Sequence, residues 1–366
     1  MPTAEEMLST ASVVALGACL KAVAPALELA AVTAAPGQLA GLAFSERGRL
    51  VRDALLADLP PGYQPMEKIF RAALDDPAFT GWMIWPVTEA VTSRALEAGT
   101  GEAFDRALAL LADLTPRLSA EFGIRRLLDA DLGRALPIVL TWTAHPDEHV
   151  RRLATEGTRP LLPWAKRVRA IFDDPAAAVP VLDALHRDPS EYVRRSVANH
   201  LNDISRRDPD LAAATAERWL ADADAPTRRL VRHGLRTLIK QGHPRALALL
   251  GFPPAEGLVV TGPELDSTTV PVGGQLGFSY VVENTGDSPA AVAVDYVIHH
   301  RKANGSTTPK VFKLTTRTLA PGERVTLART HSFKVITTRV YHVGEHAIAL
   351  QVNGEAFGRS AFTLVP

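Results

Sequence analysis

The sequence predicts an α+β multidomain chain: an all-α solenoid of HEAT-like repeats followed by an immunoglobulin-like β-sandwich. Three observations predict it. Apolar residues recur at three- and four-residue spacing up to about residue 250, as in Phe104 to Leu114 and Ala212 to Leu220. A motif repeats inside that region: HPDEHVRRLATEG (145–157) matches DPSEYVRRSVANH (188–200) at an offset of 43. Beyond residue 263 the apolar period becomes two.

From the start, MPTAEEMLSTASVVALGACLKAVAPALELAAV is apolar, but Glu5 and Glu6 stand where a signal peptide carries Lys or Arg. Lys21 and Glu28 interrupt it, so it reads as shorter than a membrane span of about 20 apolar residues. Thr3 with Glu6 fits a capping box, and the segment reads as soluble helix. Thr115-Pro116 reads as a helix N-cap with proline at the first helical position. HPDE, RDPSE and DADAPT read as turns between helices. A third, weaker copy of the motif, ADAPTRRLVRHG (223–234), places Arg228 and Arg229 where Arg194 and Arg195 stand, at an offset of 34. Periods of this length, two helices each, belong to α-solenoids, whose stacked repeats offer a concave groove.

The stretch GFPPAEGLVVTGP (251–263) breaks the helical pattern and reads as a linker between a helical domain, 1–250, and a sandwich, 264–366. After it QLGFSYVVEN, AVAVDYVIHH, RVTLARTHSF and HAIALQVNGE read as strands, with ANGS, APGE and VNGE as turns. Short strands between turns over this length fit an immunoglobulin-like sandwich.

The 366 residues hold one cysteine, Cys19, so no internal disulfide forms, and no Cys/His cluster has metal-site spacing. Both fit a reducing cytosol. Net charge is zero, which argues against a polybasic protein, but its distribution is uneven. Residues 299–340 carry Arg301, Lys302, Lys310, Lys313, Arg317, Arg324, Arg329, Lys334 and Arg339 against Glu323 alone. Such a run is either a charged edge strand that discourages sheet-to-sheet association or a surface for a polyanion. P-loop, G-x-S-x-G, H-E-x-x-H and Rossmann patterns are missing from the sequence, and no cofactor is implied.

Placed on a helix, Arg152, Glu156 and Arg159 share one face, and Arg195, Asn199 and Asp203 share the equivalent face of the next repeat. The pairs Arg151-Arg152, Arg194-Arg195 and Arg228-Arg229 are either a ladder of exposed ion pairs, worth about 0–1 kcal/mol each, or a track for phosphates. A carboxylate within a phosphate track repels the ligand, so it needs another reason. Stabilising positive charge on a sugar as an N-glycosidic bond breaks is one. Trp164, behind Pro163, then reads as an aromatic face for a cationic base or sugar, or as filler between repeats.

The segments TPRLSAEFGIRRLL (115–128), HPDEHVRRLATEGTRPLLPW (145–164) and HHRKANGSTTPKVFK (299–313) resemble the AlkC branch of the AlkC/AlkD bacterial DNA alkylation-repair glycosylases. The resemblance runs from about residue 100 to the end and is loose before that. It implies a monofunctional glycosylase that removes 3-methyladenine and 3-methylcytosine from duplex DNA without deep base flipping, without cofactor or metal, as a monomer in the bacterial cytoplasm at the nucleoid. It also implies catalytic positions at Glu156 and Asp203, an aromatic position at Trp164 and a supporting acidic one at Glu121. Glu121 also stands four residues before Arg125, the spacing of an ion pair. DNA contacts are expected from Arg151, Arg152, Arg159, Lys166, Arg194, Arg195, Arg228 and Arg229, and from His299, Arg301, Lys302, Asn304, Lys310 and Lys313 of the sandwich. The chain departs from the pattern at Gly123 and Arg126-Leu127, where Ala and Pro-Phe are expected, a change that predicts looser helix packing. Two other readings use the same residues: a non-catalytic binder of bent or branched DNA, and a HEAT-repeat scaffold for protein partners.

Overall fold

A computed structural model describes residues 3–337 and 339–366. It divides into two compact units: the chain up to Leu211 together with Asp222–Gly234, and Ala212–Ala221 together with Leu235–Pro366.

The first unit is helical. It opens with α1 (Ala4–Met7), α2 (Thr10–Val23), α3 (Ala30–Ala34), α4 (Phe44–Asp58), α5 (Tyr63–Ala73), α6 (Ile84–Ala98) and α7 (Gly101–Leu114). It continues with α8 (Ile124–Ala130), α9 (Leu132–Thr141), α10 (Glu148–Gly157), α11 (Arg169–Asp173), α12 (Val179–Leu185) and α13 (Glu191–Ile204). After α14 (Pro209–Leu220), which falls mostly in the second unit, α15 (Ala225–Gly234) completes it. The Thr3–Glu6 capping box is present. By length and composition, Ala4–Val23 is long and apolar enough to cross a membrane, which corrects the shorter span expected from sequence. The cap at Ser9 divides it into two helices, and Val13, Leu16, Cys19 and Leu20 are buried.

Two further expectations are corrected here. Thr115 does not start a helix. It closes α7, its hydroxyl donating to the Leu111 carbonyl and accepting from the Ala120 amide (2.8 and 3.2 Å). Pro116 then leads into the irregular segment that carries Glu121, because a helix cannot run through a proline without losing a hydrogen bond. Gly123 does not loosen packing. A methyl group there would meet Thr88 Cβ at 2.9 Å and its carbonyl oxygen at 3.0 Å, so glycine allows a closer approach to α6 than alanine would.

In the second unit, α16 (Arg236–Gln241) and α17 (Pro244–Leu249) join the β-structure. Both helices therefore fall in the compact unit of the β-structure. The reason is a close backbone contact at two left-handed glycines. A Cβ on Gly242 would lie 2.6 Å from the Gly354 carbonyl oxygen, and one on Gly354 would lie 2.7 Å from Leu247 Cδ1. The expected linker 251–263 is also shortened, because β1 (Leu258–Leu265) starts within it. Pro263 is tolerated there because β1 is an edge strand with a bulge between Thr261 and Glu264.

The remaining strands are β2 (Thr269–Pro271), β3 (Gln275–Asn284), β4 (Ala290–Arg301), β5 (Thr307–Leu319), β6 (Arg324–Ser332), β7 (Gly344–Val352) and β8 (Glu355–Val365). They form a three-stranded sheet, β1-β3-β6, and a five-stranded sheet, β2-β8-β7-β4-β5. Inward residues of both, among them Phe278, Tyr296, Ile298, Phe333, Ile348, Leu350 and Phe362, make one core. β5, which carries Lys310, Lys313 and Arg317, is the edge of its sheet, where charge discourages pairing with another chain.

Candidate active site

The site is assembled by α10 and α13, successive copies of the repeated motif. Each follows an x-Pro turn. Asp147 caps α10 by accepting from the His149 amide (2.7 Å), and Asp188 organises the turn before α13 by accepting from the Ser190 amide (2.8 Å). Val150, Leu153 and Ala154 bury one face of α10; Val193, Val197, Leu201 and Ile204 bury one face of α13. Gly157 lets α10 reach α8, since a Cβ there would stand 2.8 Å from Ile124 Cγ2.

Glu156, near the C-terminal end of α10, and Asp203, near that of α13, are both buried. Arg159, just past α10, lies between them. Its Nη1 donates to Glu156 Oε1 at 2.6 Å and its Nε to Asp203 Oδ2 at 2.8 Å. The other oxygen of Glu156 accepts from the Ser196 hydroxyl at 2.5 Å. On the far side Arg152 Nη2 stands 3.5 Å from Glu156 Oε1, while its Nη1 donates to Glu121 Oε2 at 2.8 Å. The guanidinium of Arg152 also lies 4.9 Å from the centre of the Tyr192 ring. Glu121, Arg152, Glu156, Arg159 and Asp203 thus form a chain of alternating charge, with three carboxylates on two guanidiniums.

Burial raises the Asp203 carboxyl above the ordinary carboxylate range despite the Arg159 hydrogen bond. For Arg159 itself burial acts downward, but the bond to Asp203 and the charge of Glu156 outweigh it, and the guanidinium is held charged. Beneath the chain lies Arg125, fully buried. It donates to the carbonyls of Gly157 and Arg159 (both 2.9 Å) and to that of Lys166. Burial pushes it down to about 10. Its three acceptors lie at both ends of the loop that carries Trp164, so Arg125 fixes that loop to α8. Trp164 is 72% exposed and has a φ of 63°, in the left-handed region that bulky residues avoid. It is not filler between repeats.

Several expected DNA contacts have other duties. Arg159 is buried between the two carboxylates. Arg152 is half-buried on Glu121 and Glu156. Arg151 forks onto Asp188 (2.6 and 3.2 Å) and donates to the His145 and Pro146 carbonyls (2.9 and 2.8 Å). Arg194 donates to the equivalent carbonyls one repeat later, Asp188 and Pro189 (2.5 and 2.9 Å). In the first two copies the first arginine of the pair therefore staples the turn that precedes its own helix. Glu121 pairs with Arg152, not with Arg125 as its spacing allowed.

In the second and third copies the second arginine is exposed, whereas Arg152 of the first is held by Glu121 and Glu156. Arg195 is exposed, bonded only loosely to exposed Glu191 (3.2 Å). Arg228 and Arg229 are exposed as well. Arg194, Arg195, Asn199, Arg229 and His233 line an open cleft of about 350 Å³ between α13 and α15. Lys166 is exposed beside Asp129 (2.6 Å).

In the sandwich, Lys302, Lys310 and Lys313 are exposed and His299 and Arg301 half-buried. The β4–β5 hairpin turn is short, with the Lys302 amide donating to the Ser306 carbonyl (2.8 Å). Only Gly305 supplies positive φ. Asn304 is a turn former, its Oδ1 accepting from the Ser306 amide and hydroxyl (3.1 and 2.8 Å).

Sequence reasoning missed Arg125, Ser196 and Tyr192. Ser196 was findable: it occupies the repeat position of Leu153, and a hydroxyl replacing a core leucine announces a buried acceptor.

Comparison with known proteins agrees with this architecture. Residues 118–243 match the DNA alkylation repair enzyme family, and residues 259–366 match the C-terminal Ig-like domain of the uncharacterised protein YhaZ. YhaZ of Bacillus subtilis (strain 168), an uncharacterised protein, is 34% identical over 314 residues, 86% of this chain and 85% of its own. A solved structure of Pseudomonas fluorescens alkylpurine DNA glycosylase AlkC, bound to DNA containing an abasic site analog, matches with a TM-score of 0.83 at 33% identity, covering 100% of both chains. Fold and site together define a DNA alkylation repair protein made of helical repeats and an Ig-like domain. Within that class the chain belongs to the AlkC family.

Proposed function

We propose that this chain is a monofunctional DNA glycosylase for cationic N-methylated bases, 3-methyladenine and 3-methylcytosine, in duplex DNA, and that it acts as a monomer. The observation that carries this reading is the pair of buried carboxylates, Glu156 and Asp203, contributed by successive repeats and tied by one guanidinium. Together they set two carboxylates side by side where a cation can be stabilised.

The reaction needs that more than it needs a general acid. A base methylated on a ring nitrogen is already positive. As the C1′–N bond breaks, its electron pair goes to the base, which leaves neutral, and positive charge moves onto the sugar. Glu156 and Asp203 stabilise that charge. A water oxygen then bonds to C1′, and its proton passes to a carboxylate. Ser196 and Arg159 are positioning residues that hold Glu156 at both oxygens. Trp164 offers its ring to the cationic base or the sugar. Arg195, Arg228, Arg229 and Lys166, with Lys302, Lys310 and Lys313 of the sandwich, supply exposed cations for phosphates.

One observation favours a second reading, a non-catalytic DNA binder: Glu121, Glu156 and Asp203 each already have an ion-pair partner. Chromatography of bases released from methylated duplex DNA separates the two. Wild type releases 3-methyladenine or 3-methylcytosine. Glu156→Gln releases it about 10²–10³-fold more slowly while DNA binding is kept. Absence of release at enzyme excess, with DNA bound, refutes the glycosylase reading.

A further inference from the structure

The connection from β6 to β7, residues 333–343, has no part in the site described above, yet it exposes aliphatic side chains in a row. Val335 is 67% exposed and Val340 76%, and Ile336 and Val343 are exposed beside them. A monomeric surface scatters such residues singly; a cluster marks an interaction site.

Both ends of the connection are fixed. Phe333 is fully buried, its amide donating to the Gly274 carbonyl (2.9 Å) and its carbonyl accepting from the Gly273 amide (3.1 Å). Tyr341 packs 5.5 Å from the Phe333 ring and 5.9 Å from that of His300. Between them the backbone doubles back through an antiparallel bridge between Ile336 and Arg339. Arg339 Nη1 donates to His300 Nε2 at 2.8 Å. The aliphatic residues therefore sit on a turn with an anchored base.

The strand directions place cations around this turn. β4 ends, β5 begins, β6 ends and β7 begins at one end of the sandwich. Lys334 and Arg339 of the turn are thus grouped with Arg301 and Lys302 of the β4–β5 hairpin. Lys310, near the start of β5, is lowered by burial and by the charge of Arg339, which places the two within electrostatic reach. Glu323, the acid of the basic run, lies in the turn at the opposite end of β5. The acidic side chains at the near end include Glu345 and Asp266, whose carboxylate accepts from the Gly277 amide (3.0 Å).

We propose that this turn is a wedge that enters a base step of duplex DNA, with Ile336 between the base pairs, Val335 and Val340 against the sugars, and Lys334, Arg339 and Lys302 on the flanking phosphates. The proposal rests on the reading above that the chain engages duplex DNA. An apolar tip inside a cationic rim complements a base step, which is apolar at its centre and anionic at its edges; aliphatic wedges of this kind unstack and kink a duplex. A membrane surface is the poorer fit, because interfacial segments favour Trp and Tyr, and the exposed residues of this tip are Val and Ile.

The test uses the full chain and a duplex carrying 2-aminopurine, whose fluorescence rises on unstacking. Wild type raises it. The double variant Ile336→Ser, Val340→Ser loses the rise and binds duplex more weakly, while Ile336→Leu keeps both. If the double variant raises fluorescence as wild type does, the wedge is refuted although glycosylase activity stands. If instead the double variant abolishes flotation with anionic vesicles or self-association in sedimentation and leaves the fluorescence rise intact, the partner is a lipid surface or a second copy, and the wedge is again refuted. If wild type neither binds duplex nor releases methylated bases, the reading of function falls and takes the wedge with it.

Discussion

The buried acids and arginine of the repeat site and the buried histidines of the β-sandwich are kept in opposite states. Between α10 and α13, Glu156, Asp203 and Arg159 are hydrogen-bonded to one another, and Arg159 is held charged. In the sandwich, burial first and then Arg339 push His300 down to about 3, burial pushes His331 down to about 4, and His346 is lowered as well. These rings sit among Phe312, Phe333 and Tyr341 and stay neutral. The acids and guanidinium of the first region retain charge by pairing; the buried histidines of both regions, His200 on α13 included, are discharged by burial. Charge that is retained can act on a cation, which is what the proposed function asks of the repeat site.

The comparison breaks most sharply at Arg159. Arg159→Ala strands the buried Asp203 and leaves Glu156 on Ser196 and Arg152 alone, and should cost about 3–5 kcal/mol of stability, read from chemical denaturation of the full chain. Denaturation of the His331→Phe chain should show a smaller loss, about 1–3 kcal/mol, because the substitution removes the buried hydrogen-bond partner of the Tyr296 hydroxyl (2.9 Å) but strands no charge.

Acid should act on the two regions by different routes. Asp203 has a raised pKa, so it takes up its proton at a higher pH than an ordinary aspartate as pH falls. Base release should therefore show an acid limb above the ordinary aspartate pKa of about 3.9 in a kcat–pH profile. Arg159→Gln should move that limb to higher pH. The histidines have folded pKa values below their unfolded value of about 6.5, so the unfolded chain protonates first. Stability should be full above that pH and decline as pH falls toward 4, where His331 itself titrates. Thermal unfolding against pH checks this, and His331→Phe should flatten the decline.

The smallest effect belongs to the exposed arginines. Arg195→Ala or Arg229→Ala should each reduce the slope of log K against log salt by about 0.9 and leave stability nearly unchanged. Equal slopes in wild type and variants would remove these residues from the phosphate track.

Sequence made the repeats legible because a solenoid copies its own motif, and the offset of 43 carried the reading from Glu156's helix to Asp203's. Strands β3 and β6 were legible from alternation. β1, β2, β5 and β8 were not assigned: β1 follows prolines, β2 has three residues, and β5 is a charged edge. Among the site residues, helical periodicity identifies a shared face but not what lies opposite. Arg159 sits beyond the end of α10, where periodicity no longer applies, and it turns inward to close the carboxylate pair. Arg151 and Arg194 repeat because the x-Pro turns before them repeat, so their recurrence reported a staple and not a phosphate ligand. Arg125 was illegible because its acceptors are backbone carbonyls, which every residue has.

Trp164 adds a consequence for how such a protein changes under selection. A bulky residue in the left-handed region costs on the order of 1–3 kcal/mol, and this one recovers little by burial because its ring is largely in solvent. Glycine at position 164 would relieve the backbone at once. A population selected for heat resistance alone should drift toward Trp164→Gly, while one selected to survive alkylation should retain the tryptophan. On the proposed function, Trp164→Gly should therefore raise the unfolding temperature and slow base release in the same chain.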